Sequence, residues 1–168
     1  VSDAAVQASV DRLNAVFRAT GIHAGLTPDI KIQFVLASYD PNCQSTNGIV
    51  RVDGRSISGY SNGVPFSDYT MHQALRNLST WDINQYINIR ICHNITDTGG
   101  FAFYLNDLFM PANSVNTYTN YPGLDNFWAH EMGHSMNLYH TFYGDGTING
   151  GGAGTISVCP LNNDPEND

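Results

Sequence analysis

The chain of 168 residues has one lysine, Lys31, and six arginines set against fifteen acidic side chains, for a formal net charge of −8. It has no basic cluster. Nucleic-acid binding is thereby disfavoured, because displacing counterions from phosphates requires clustered positive charge. An anionic membrane surface is disfavoured for the same reason. No apolar run approaches the roughly 20 residues of a membrane span. The first residues, Val1-Ser2-Asp3-Ala4, lack the basic start and apolar stretch of a signal peptide, which leaves a cytoplasmic protein or a processed mature form. Three cysteines, Cys43, Cys92 and Cys159, are too widely spaced for a CxxC motif, and their odd number leaves one thiol unpaired or paired outside the chain.

What is present is the composition of a soluble globular protein, 42% apolar and long enough for one domain with its own core. Ser2 and Asp3 are helix caps in type, and Val6, Val10, Leu13 and Phe17 recur at helical spacing up to Gly21, which predicts an amphipathic helix over residues 3–20. Residues 30–37 alternate and are rich in branched side chains, as a strand requires. Residues 48–52 fit a short strand, and residues 53–68 a Gly/Ser/Asn-rich loop. A short helix is expected over residues 71–78. Residues 86–92 give the clearest alternation in the chain, residues 101–104 fit an edge strand, and residues 124–138 a second long helix. The tail beyond His140 is glycine-rich, without periodicity, repeat or linker.

Residues 130–140 read His-Glu-Met-Gly-His-Ser-Met-Asn-Leu-Tyr-His. On a helix, His130 and His134 stand one turn apart on the same face, able to share one zinc ion. Glu131 falls beside that face, where a carboxylate can act as a base without occupying the metal. Zinc lowers the pKa of a bound water to about 7, and a catalytic zinc takes three protein ligands and keeps one position open. His140 is the candidate third ligand. In an unbroken helix, six residues beyond His134 amount to about 600° of rotation, which turns His140 about 120° away. The helix must therefore end between them, and Asn137 is the residue type that best tolerates a left-handed backbone after glycine. A bare His-Glu-x-x-His recurs by chance, and the third histidine at this offset makes the pattern specific. His23, His72 and His93 have no partner at ligand spacing and are expected to be surface or hydrogen-bonding residues.

This stretch resembles the metzincins and, more narrowly, the pappalysin/cytophagalysin family of metallopeptidases. Asn137-Leu138-Tyr139-His140-Thr141-Phe142 is similar to that family's Gly-Leu-Tyr-His-Thr-Phe. Looser similarity covers residues 10–17, 32–37, 47–49 and 86–92. The resemblance implies an α+β fold, with a twisted sheet, a backing helix and an active-site helix in an upper part to about residue 137. An irregular lower part would begin near residue 138, within one catalytic domain over residues 1–168. It implies a zinc endopeptidase acting on proteins or peptides, secreted and activated by loss of a propeptide, with residues 101–104 as the cleft-edge strand. Asn137 departs from the family's glycine. The methionine-bearing turn expected below the zinc is also missing, since Met71, Met110, Met132 and Met136 all precede His140.

Two other readings stay open: a zinc module that binds proteins without cutting them, and a structural zinc closed by Asp145 or Cys159 as fourth ligand. Glu131 counts against the first. Asp145, Asp164 and Glu166 supply the hard oxygen ligands calcium prefers, although acidic glycine-rich tails are more often simply solvated. The absent methionine turn and the lone Cys159, which in an oxidising compartment calls for a disulfide partner, lead to the expectation that the polypeptide continues beyond Asp168.

Overall fold

Ser2 caps the first helix of the computed structural model, its side chain accepting from the Ala5 N–H. Residues 1–103, 106–115 and 126–140 are described. Residues 1–137 form one unit. A second begins at Leu138, and of it the structure describes three residues, 138–140.

Helix α1, Asp3–Phe17, buries Val6, Val10, Leu13 and Phe17, the stripe read from the sequence. It ends three residues before the expected Thr20. Ala19 takes φ 50°, and the Thr20 N–H turns back to the Ala15 carbonyl at 2.9 Å. Helix α2, Tyr69–Leu78, is capped by Asp68, whose carboxylate accepts from the Met71 N–H. Three strands follow, β1 (Asn88–Cys92), β2 (Phe101–Phe103) and β3 (Asp107–Pro111), and then helix α3, Asn126–Ser135. The sheet order is β1-β3-β2, with β1 parallel and β2 antiparallel to β3, so that among the described residues β2 is an edge. The expected strand over residues 86–92 begins two residues later than predicted. Tyr104, the last residue of the expected edge strand, lies outside the described residues.

Two expected strands are absent. Residues 30–37 run without sheet pairing, and at Phe34 a side chain takes the backbone groups that a neighbouring strand would use. Asn14 accepts from the Phe34 N–H at 2.7 Å and donates to the Phe34 carbonyl at 2.8 Å. Lys31, at φ 61°, interrupts the extended run. Residues 48–52 form no strand either. Gly48 sits so close to Ala37 that an added Cβ would lie 2.6 Å from its backbone nitrogen. Within the expected loop, two short 3₁₀ turns form at Gly54–Ser56 and Tyr60–Asn62. Strand β3 was not legible, because all five of its residues are buried and no alternation shows.

The core has two parts. Leu13, Phe17, Leu108, Met110, Val115, Trp128 and Met132 form one, with α1 and α3 on the same side of the sheet. Val64, Met71, Leu75, Cys92, Ile95, Phe101 and Phe109 form the other, on the side of α2. Among the described residues Cys43 and Cys92 are free thiols, and Cys159 lies outside them. Burial pushes the Cys92 thiol up to about 11, which makes it an inert packing residue. No helix among the described residues is long and apolar enough to cross a membrane.

Candidate metal centre

Helix α3 is held from three directions. Trp128 and Met132 sink into the α1-side core, and burying each side chain contributes about 1.5–3 kcal/mol. The Trp128 indole N–H donates to the Ser114 hydroxyl at 3.0 Å, which itself donates to the Pro111 carbonyl at the end of β3. At the other end of α3, the Asn106 N–H points to the Ser135 carbonyl at 3.4 Å. The side chain of Asn106 donates to the Ile83 carbonyl at 3.0 Å. Phe127 lies on the backbone of Gly99 and Gly100, where an added Cβ would meet its ring at 3.0 and 2.8 Å. The sequence reading missed Trp128, Asn106 and this glycine pair as supports. The Gly99-Gly100 pair next to an apolar triplet was the one available signal.

This anchoring presents His130 and His134 together. Their rings stand edge to face with centroids 4.6 Å apart, and their Nε2 atoms are 3.1 Å apart. Two imidazole ligands of a tetrahedral zinc, each at about 2.0–2.1 Å, hold their nitrogens about 3.3 Å apart. The pair therefore fits zinc. The helix stops at Ser135, three residues before the expected end. The Met136 N–H is shared between the Met132 and Gly133 carbonyls at 3.1 and 3.0 Å, and the Asn137 N–H bonds to the His134 carbonyl at 2.9 Å. Asn137 has φ 71°, the left-handed backbone its place in the motif called for. Among the described residues, His130, His134 and His140 are the group of side chains that could hold a metal ion.

Glu131 is buried, at 5% exposure. Burial pushes its carboxyl up, while the charge of His134 and the Ala102 N–H of β2 pull it part of the way back. A carboxyl so placed is suited to taking up and giving back a proton. Ala102 is the functional neighbour that the sequence alone could not supply, since nothing in its type marks it. His23 and His72 are both buried, and the His72 Nε2 lies 2.7 Å from the Pro65 carbonyl, a hydrogen-bonding role as expected. His93 is exposed. Asp145 and Cys159, the fourth ligands of a closed site, and Asp145, Asp164 and Glu166 of the calcium reading all lie outside the described residues.

Residues 3–141 match the family described as Metallo-peptidase family M12B Reprolysin-like. None of the curated proteins matches the sequence. A solved structure of mirolysin in complex with compound 9 is similar to this chain at a TM-score of 0.65 and 25% identity, covering 87% of this chain and 60% of the mirolysin chain. This chain therefore spans about three-fifths of the length of the solved structure it resembles. The three-stranded mixed sheet with its helices is a metzincin-like α+β fold.

Proposed function

The chain belongs to the reprolysin-like metallopeptidases of family M12B, and from that premise we propose that it is a zinc-dependent endopeptidase cutting extracellular proteins or peptides. One observation carries the reading: a pair of facing imidazoles on α3 with a buried carboxylate at the next position. His130, His134 and His140 would hold the zinc. When bound, the ion makes a water acidic and polarises a carbonyl. Glu131 takes a proton from the water that attacks the scissile carbonyl and passes it to the amine that leaves.

Among the described residues strand β2 is one of the two edges of the sheet, and it lies against Glu131 through Ala102. An extended substrate laid along that edge gains main-chain hydrogen bonds and brings its scissile bond to the carboxylate. The narrower likeness to the pappalysin/cytophagalysin family rests on Leu138-Tyr139-His140-Thr141-Phe142 and supports the secreted location proposed here.

The test is incubation of the zinc-loaded chain with a peptide library, read by mass spectrometry, with and without a chelator. Cleavage should appear only without chelator and should vanish in Glu131→Gln, while that variant keeps its zinc. A Glu131→Gln variant that cuts at close to the parent rate would end the proposal for the base.

A further inference from the structure

His72 of α2 is completely buried, at 0% exposure. Its ring is surrounded by aromatic rings: Phe101 at 4.8 Å, Phe109 at 5.2 Å, Phe103 at 5.4 Å and Tyr69 at 5.8 Å between centroids. Two of those rings, Phe101 and Phe103, belong to β2, the strand whose Ala102 faces Glu131 from the other side. The Pro65 carbonyl can only accept, so the His72 Nε2, 2.7 Å away, carries the hydrogen. The Nδ1 is then bare, and it has no hydrogen-bond partner among the described residues.

We propose that His72 is a positioning residue for the edge strand β2, and that protonating it loosens the strand and so weakens the grip on substrate. The inference rests on reading β2 as the strand along which substrate lies. Protonation puts a hydrogen on Nδ1 where none of the described residues accepts it, and a charge on a side chain with no exposed surface.

The charges around the ring do not remove that penalty. Arg76 of α2 lies over Phe103 at 4.4 Å, and Arg90 of β1 over Phe109 at 5.2 Å, so a charged His72 would be a third cation around one aromatic cluster. Asp107 of β3 is already engaged by both arginines. Asp68 at the α2 cap and Asp97 in the loop before β2 favour the charged form, but each is engaged by a backbone N–H, of Met71 and Phe66 respectively. Burial, the largest influence, holds the imidazole below its ordinary value.

The experiment compares the zinc-loaded parent chain with His72→Gln, which keeps a donor for the Pro65 carbonyl and cannot titrate. Amide hydrogen exchange, corrected for the intrinsic effect of pH, is followed for Phe101–Phe103 and for Asn88–Cys92 between pH 7.5 and 5.5. In the parent, β2 should lose about tenfold in protection as the medium is acidified, while β1 changes little. In His72→Gln the β2 loss should disappear, and the acid rise in KM for dye-quenched gelatin should disappear with it.

Equal acid loosening in both proteins would assign the effect to Glu131 or the zinc histidines and overturn the proposal. So would a His72 imidazole titrating at its ordinary value in the NMR spectrum of the parent, a measurement that decides the question even if the variant does not fold. Exchange needs no substrate. His72-dependent exchange without hydrolysis would therefore sink the peptidase reading alone, and hydrolysis with unchanged exchange would sink this inference alone.

Discussion

Leu108 and Met110 leave one side of β3 for a core of aliphatic, sulfur and aromatic groups shared with α1 and α3, whereas Phe109 leaves the other side for a cluster in which His72, Arg76 and Arg90 surround phenylalanine rings. The first side is bound by shape and area. On the second, Asp107 bonds the Arg76 Nε at 2.7 Å and pairs with Arg90, whose guanidinium burial pulls down to about 10. The difference teaches that the site is supported by two kinds of material. The apolar side seats the histidine-bearing helix α3, and the charged aromatic side seats the strand β2 that faces Glu131.

Asp107→Ala should break the second side most severely. It strands two cations in a nearly dry cluster, and a loss of about 3–5 kcal/mol is expected from chemical denaturation. Leu108→Ala on the first side should cost about 3 kcal/mol, as transfer and cavity terms add. If the two losses come out in the reverse order, the ion cluster is not what holds that side together.

A smaller effect separates the sides by pH. The fold favours neutral His72, so the stability it contributes is complete above about pH 6.5 and is lost as pH falls below that value. Lowering the pH from 7.5 to 5.5 should lower the denaturant midpoint of the parent more than that of His72→Gln, while Leu108→Ala leaves this dependence untouched. The smallest effect lies at the end of α3. Asn137→Gly should be neutral or up to about 1 kcal/mol more stable by thermal melting, because φ 71° suits glycine, while Asn137→Val should weaken zinc binding.

The first side was largely readable in the sequence. The spacing of Val6, Val10, Leu13 and Phe17 gave α1, and the histidine spacing gave α3 and the turn at Asn137. The second side was not. Strand β3 is buried throughout and shows no period, and the Asp107 pairs join residues 17 and 31 positions apart, which no local pattern records. Residues 30–37 misled in the opposite sense, because alternation describes a face but not a neighbour. Val35 is 77% exposed, and Asn14 takes the Phe34 hydrogen bonds a strand partner would have used. Within the candidate site, residue type marked the histidines and Glu131, while Ala102 acts through its backbone and carried no mark.

The central claim, that His130, His134 and His140 hold one zinc, is tested most directly by zinc X-ray absorption on the loaded chain, set beside His140→Ala. The account predicts one zinc per chain with three imidazole nitrogens at about 2.0–2.1 Å and an oxygen completing the shell, and one fewer imidazole in the variant. A sulfur ligand, or an identical spectrum from His140→Ala, would contradict it.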